Sequence, residues 1–284
     1  MGRKGYERRI RAGRPGVGFD FAALWAYRDL LFLLVKRDFL SKYKQSVLGP
    51  VWFILQPLLM TSAFTVVFSK VAQLSTDSLP APLFYMAGLL AWNYFQQTFN
   101  GIAATFISNM HIFSKVYFPR LVVPLGLATS NLLAFAVQFA VFACFYGYFK
   151  LFTDQAQSFG LNSCSFLLPL LLLQTIMLSV GVGLCIAAAT AKYRDLAHVL
   201  GLLSQIWLYA TPIIYPVSNV PVAWRSILGL NPMTGIVEAF RWLLLGKGTL
   251  SLSIVLSSVL GTGFVLLLGL YLFRNAERTV VDIA

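Results

Sequence analysis

Charge is what this 284-residue sequence has least of. Only 11% of its residues are Asp, Glu, Lys or Arg, 58% are hydrophobic, and the mean hydropathy is +0.75. So little polar surface cannot cover a water-soluble globule, which identifies an integral membrane protein. The three cysteines, Cys144, Cys164 and Cys185, are odd in number and lack metal spacing, which argues against a disulfide framework and a zinc site alike. Histidine is scarcer still. His111 and His198 stand alone, one in a loop and one at the start of an apolar run, so packing at the membrane surface explains them better than catalysis or metal binding. A phosphate-cradling GxxxxGK[ST] loop is also missing: Gly246-Lys247 is followed by Gly248 and lacks the preceding glycine. ATP is therefore not bound in that way, and any ATP-derived energy must come from a partner.

What the sequence does have is a succession of apolar runs, at about 51–71, 83–106, 121–149, 167–190, 198–215 and 250–273. A bilayer crossing takes roughly 20 apolar residues, so these read as six transmembrane helices in an all-α fold. None carries an acid, Lys or Arg near its middle, which removes most membrane enzymes and proton-coupled carriers. The net charge of +12 then reports topology rather than nucleic-acid binding. With the N-terminus inside, 17 of the 22 basic residues fall on the cytoplasmic side, eleven of them before Gly49. Only Lys70, Lys150, Arg225, Arg241 and Lys247 fall outside, an asymmetry that expects both termini in the cytoplasm.

Two stretches are neither loop nor span. Residues 1–19 read as a flexible basic arm without the apolar core of a signal peptide, and residues 20–48 as a cytoplasmic amphipathic interface helix with Asp20 as N-cap. Its wheel sets Phe39, Leu40, Tyr43 and Val47 against Arg37, Asp38, Ser41, Lys42, Lys44 and Gln45, the pattern of a helix lying on a membrane. Gly49-Pro50 ends it and opens the six-span domain, 49–284. Residues 216–248 are too apolar for an ordinary loop, yet Arg225, Glu238 and Arg241 make a full crossing expensive. Broken at Asn231-Pro232, the segment is expected to be a re-entrant hairpin of two short helices, with Glu238 and Arg241 paired at i, i+3.

The spans are rich in uncharged polarity. Asn93, Gln97 and Asn100 share one face of the second run, beside an aromatic face of Trp92, Phe95, Phe99 and Phe106. Gln56, Thr61 and Thr65 in the first run, Asn131 and Gln138 in the third, and Gln174 and Thr175 in the fourth add similar groups. These either make interhelical hydrogen bonds, as membrane bundles commonly do, or line a conduit for a hydroxyl-rich substrate. Two cytoplasmic pieces could receive a partner protein. One is the loop at 107–120, with apolar Ile112, Phe113, Val116 and Tyr117 and basic Lys115; the other is the stretch 36–48. Each could instead simply rest on lipid headgroups.

Four blocks carry a family resemblance: VKRDFLSKYKQSVLGPVWFILQPLLM, FSKVYFPRLVVPL, AKYRDLAHVLGLLSQIWLYATPIIYP and LNPMTGIVEAFRWLLLG, which together span 35–246. The sequence resembles the transmembrane subunit of bacterial ATP-binding-cassette exporters for polysaccharides, of the O-antigen (Wzm-type) and teichoic acid (TagG-type) kind. The resemblance implies a homodimer in the bacterial inner membrane, joined by two copies of a separate ATPase that binds ATP and Mg, moving a lipid-linked polysaccharide among membrane lipids. No cofactor is expected in this chain itself. By the same resemblance, Arg37, Lys42, Ile112, Phe113, Lys115, Val116, Tyr117 and Phe118 would couple to the ATPase. The hairpin, with Tyr215, Trp224, Glu238, Arg241 and Trp242, would be the outer gate.

The reading is a permease without chemistry of its own. Its rival is a membrane-embedded transferase acting on lipid-linked sugars, for which Asp38, Asp195 and Glu238 are the acids in reach. Each has a basic neighbour, Arg37, Arg194 or Arg241, that explains it as an ion pair. A secondary transporter is weakened by the absence of charge within the spans.

Overall fold

The structure, a computed structural model, describes residues 25–43, 49–113, 118–193, 195–248 and 250–283, and among these there is helix but no strand. Helix α1 is Arg28–Tyr43. After Gly49, whose φ of +48° suits glycine and makes the expected break, α2 runs Trp52–Phe64 and continues as a π-helical turn, Thr65–Val71. Then follow α3 Ala81–Ala103, α4 Thr105–Phe113, α5 Val122–Phe152, α6 Leu168–Lys192 and α7 Leu196–Ala210. Two short helices, α8 Val222–Gly229 and α9 Pro232–Leu245, precede α10, Leu252–Ile283.

By length and composition four of these segments can cross a membrane: Trp52–Val71, Val122–Phe152, Ser165–Lys192 and Leu252–Glu277. The second run differs because its 23-residue helix α3 carries the amides and sits inside the bundle, with Leu83–Trp92 buried throughout. The fifth differs in length. Its helix has 15 residues and stops at Ala210, not near 215, because Pro212 follows and Thr211 is extended (φ −102°, ψ 138°). The expected loop at 107–120 begins as helix α4, set off from α3 at Ala104.

The core forms around α3, enclosed by α5, α6 and α9. Where α6 meets α10, small residues bring backbones together, as is usual where lipid gives helices no hydrophobic reason to associate. A Cβ on Gly181 would lie 2.7 Å from the Leu266 Cα, and one on Gly269 would run into the Gly181 carbonyl. Gly183 likewise leaves room for Ile102, whose Cβ would be 2.6 Å from an added methyl.

The two ends of the bundle are recognisable by their contacts. At one, Arg120 Nη1 donates to the Glu277 carbonyl (3.1 Å), Phe106 stacks on Phe273 (centroids 4.8 Å) and Thr190 Oγ1 donates to the Ala103 carbonyl (2.9 Å). Helix α1 docks there too, burying Leu34 against Phe118, Val122 and Val123. The amphipathic face expected at 36–48 falls partly on residues 44–48, outside the described ones, and the contact is made by the preceding Leu30, Leu31 and Leu34. At the other end the loop after α5 closes over α9. The Gly160 and Asn162 amides donate to the Leu245 and Leu243 carbonyls (3.2 Å each), satisfying groups that a helix end leaves open.

Candidate functional site

The hairpin segment builds the most distinctive polar cluster. Asn231 caps α9, its Oδ1 accepting from the Met233 amide at 3.1 Å, while Pro232 occupies the first helical position, where its missing N–H costs nothing. The same Oδ1 accepts from Trp207 Nε1 (3.1 Å), and Asn231 Nδ2 donates to Thr211 Oγ1 (3.0 Å), so one cap also fastens α7. Gly246 ends α9 in the left-handed region (φ +70°).

Within α9 the i, i+3 pair forms as expected. Arg241 Nη1 donates to Glu238 Oε1 at 3.1 Å, and both side chains are buried, 1% and 2% exposed. An ion pair alone seldom offsets such desolvation, and further hydrogen bonds are needed. Arg241 supplies them: Nη1 donates to the Pro212 carbonyl and Nη2 to the Ile213 carbonyl, both at 2.6 Å. Its guanidinium also lies 3.7 Å from the centroid of the Phe84 ring, a cation–π contact strengthened by burial. Gly88 makes the space, since a Cβ there would sit 3.0 Å from Nη2. Arg241 Nε and the neighbouring Tyr85 hydroxyl are buried with no hydrogen-bond partner among the described residues. The arginine thus pins the turn after α7 to the core helix α3.

A second tie comes from the loop between α2 and α3, which holds three non-glycine residues with positive φ: Gln73 (52°), Asp77 (53°) and Ser78 (61°). Its Asp77 Oδ1 accepts from Ser218 Oγ at 2.8 Å. Arg225 then donates from Nε to the Val220 carbonyl and from Nη2 to the Ser218 carbonyl, both at 2.7 Å. Of the other expected hairpin residues, Tyr215 is half-buried with its hydroxyl 3.4 Å from the Tyr209 carbonyl, and Trp242 packs against the core. Trp224 lies apart on α8, 61% exposed.

Two of the seven expected channel residues go to interhelical bonds. Asn93 Nδ2 donates to Gln138 Oε1 on α5 (3.3 Å), and Asn100 Oδ1 accepts from Ser204 on α7 (3.2 Å). Gln97 is half-buried and makes no side-chain hydrogen bond to a described residue. Trp92, Phe95 and Phe99 are buried in the chain's own core, with Phe95 5.1 Å from the Trp207 ring. Gln56 alone of this group is exposed.

Of the expected partner-facing residues, Lys115, Val116 and Tyr117 lie outside the described ones, as do the side chains of Ile112, Phe113 and Lys42. Phe118 is buried against α1, and Arg37 Nη2 pairs with Asp38 Oδ1 at 2.8 Å. Sequence reasoning missed Asp77, Ser218, Phe84 and Gly88. None carries a local signal of its role, because each acts through a residue more than a hundred positions away. Asn231 did carry one, the Asn-Pro helix start.

Residues 29–245 match the family described as ABC-2 type transporter. The chain is 28% identical over 220 residues to the O-antigen export system permease protein RfbA of Myxococcus xanthus, covering 77% of this chain and 81% of that protein. It is 26% identical over 256 residues to the Klebsiella pneumoniae protein of the same description, covering 90% and 95%. The polysialic acid transport protein KpsM of Escherichia coli is 23% identical over 254 residues, 89% of this chain and 94% of that one.

Proposed function

The chain belongs to the ABC-2 type transporter family, and we propose that it is the membrane-spanning permease half of an ATP-driven exporter moving a lipid-linked polysaccharide across the inner membrane. The observation that carries this reading is the match over 29–245, together with relatives described as O-antigen and polysialic acid transport proteins that are matched over most of their length. The protein performs no chemistry on its cargo. A separate ABC ATPase hydrolyses the ATP.

In this reading α3 and α7 join the four longer apolar segments as spans, both termini are cytoplasmic, and two copies of the chain assemble with two ATPases. Support for α3 as a span comes from its 23-residue length and its burial inside the bundle, where amides find partners away from lipid. The short α7 is compatible with crossing because the turn Thr211–Pro216, rather than a longer helix, completes its depth. Residues 107–120 receive the ATPase, supported by the separate helix α4 and by Ile107, 42% exposed on it. Phe118 acts there as an anchor to α1, not as a contact for the partner. The hairpin 216–248 is the outer gate, with α9 as its fixed half. A conduit between two copies is supported at the exposed Gln56 and not at the buried aromatics of α3.

The test is transport in vesicles containing this chain and its ATPase. The chain alone is expected to hydrolyse no ATP, and the pair to export polysaccharide when ATP is supplied on the ATPase side. Phe113→Asp is expected to cut co-purification of the ATPase and export together, at unchanged yield of the chain. Hydrolysis by the chain alone, or export without an ATPase, would overturn the reading.

A further inference from the structure

One feature lies outside the cluster around Arg241. A cavity of about 620 Å³ opens between α8 and the first turns of α10. Among the described residues Arg225 and four serines, Ser226, Ser251, Ser253 and Ser257, line it, and no Asp or Glu does. Gly229 and Gly248 are also in its wall, and a Cβ at Gly248 would lie 3.3 Å from Glu238 Oε2. The guanidinium is held still by the Val220 and Ser218 carbonyls, and its Nη1 has no partner among the described residues. Asp77, the acid in this network, accepts from Ser218 Oγ and is not in the described wall; nor is Glu238, whose Oε1 accepts from Arg241. Ser257 Oγ already donates to the Gly229 carbonyl (2.7 Å), so the chamber offers one fixed positive charge and hydroxyl donors from Ser226 and from one of the Ser251–Ser253 pair, a set suited to an oxyanion.

Its surroundings are apolar. On α8 and at its C-cap, Val222, Ile227 and Leu230 are 77%, 57% and 76% exposed. On α10, Leu252, Leu256 and Leu260 are spaced four apart and 74%, 51% and 71% exposed, so they form a continuous stripe leading away from the cavity. A free anion uses the chamber but not the stripe. An amphiphile with an anionic head uses both.

We propose that this cavity holds the phosphate headgroup of an anionic membrane phospholipid, with an acyl chain lying along Leu252, Leu256 and Leu260. Beyond the residues named, this rests only on the chain spanning a bilayer, and not on the cargo or on ATP. Arg225 and the serines select the head, and the α10 stripe selects a molecule with a tail. A lipid seated there bridges the exposed α8 to the long α10.

The experiment is native mass spectrometry of the full chain released from nanodiscs containing phosphatidylglycerol or phosphatidylcholine of identical chains. The wild type is expected to retain one phosphatidylglycerol per chain at collision energies that strip phosphatidylcholine. Arg225→Gln is expected to weaken retention about tenfold, the worth of one charge-assisted contact. Ser226→Phe fills the cavity while leaving the guanidinium and its carbonyls in place, and is expected to abolish retention at unchanged helicity, so a folding defect in the arginine variant does not shield the proposal. Equal retention of both lipids by the wild type, or equal retention of phosphatidylglycerol by the wild type and Ser226→Phe, would overturn it. Displacement of the lipid by millimolar inorganic phosphate would also overturn it, assigning the chamber to a free anion.

Discussion

Helices α8 and α9 are neighbours in sequence, separated by Leu230 and Asn231, and both are short and apolar with one arginine each. Their environments are opposite. Along α8, Val222, Trp224 and Ile227 are exposed and only Gly229 is buried; along α9, every residue from Met233 to Glu238 is buried. The arginines explain the contrast. Arg225 ties back to carbonyls of its own approach segment, Ser218 and Val220, and so braces only its own helix. Arg241 reaches across to Pro212, Ile213 and Phe84 and brings its helix into the core. A short apolar helix is thus made internal less by hydropathy than by where its one cation finds acceptors.

The largest expected effect breaks this contrast at its source. Arg241→Met leaves Glu238 buried and charged and strips two carbonyls of their donor, so a loss of about 3–5 kcal/mol is expected, read as a lower unfolding temperature in detergent. Adding Glu238→Gln should recover part of it; if Arg241→Met alone is neutral, the ion pair does not hold α9 inside. Next is Gly235→Ala. Its new methyl would lie 2.6 Å from the Ser258 Cβ, and overpacking of about 1–3 kcal/mol is expected. Relief by Ser258→Gly would localise the clash, although Ser258 also donates to the Pro232 carbonyl and accepts from Gln174, so rescue should be incomplete. Asn231→Ala removes a cap and two side-chain links to α7, with an expected cost of about 1–2 kcal/mol in the same thermal assay. The smallest is Trp224→Ala on exposed α8, expected within about 0.5 kcal/mol of wild type. A larger loss there would mean that α8 is packed against something in the membrane.

The sequence made this hairpin legible because its punctuation is local. Asn231-Pro232 marks the start of α9, Gly246 its end, and Glu238 and Arg241 stand one turn apart. The early end of α7 was legible as well, through Pro212, but the apolar run continuing to Tyr215 masked it. What could not be read is which neighbour a face meets. Asn93 and Asn100 share a side of α3, yet one bonds to α5 and the other to α7, since periodicity gives direction around a helix and not what lies in that direction. The aromatic face beside them met the chain's own helices for the same reason. The break at Ala104 has no proline or cap to announce it, and the acceptors of Arg241 are backbone carbonyls, which carry no residue identity at all.

Helix α10 extends 32 residues without a break, about 48 Å of continuous rod. Its C-terminal part stacks on Phe106 of α4 through Phe273, and its N-terminal part seats Pro232 in the notch at Gly261 and bonds the Pro232 carbonyl through Ser258. Midway, glycines let its backbone meet that of α6 directly. One continuous helix therefore joins the end of the bundle at Phe106 to the start of α9 at Pro232, with no loop in between.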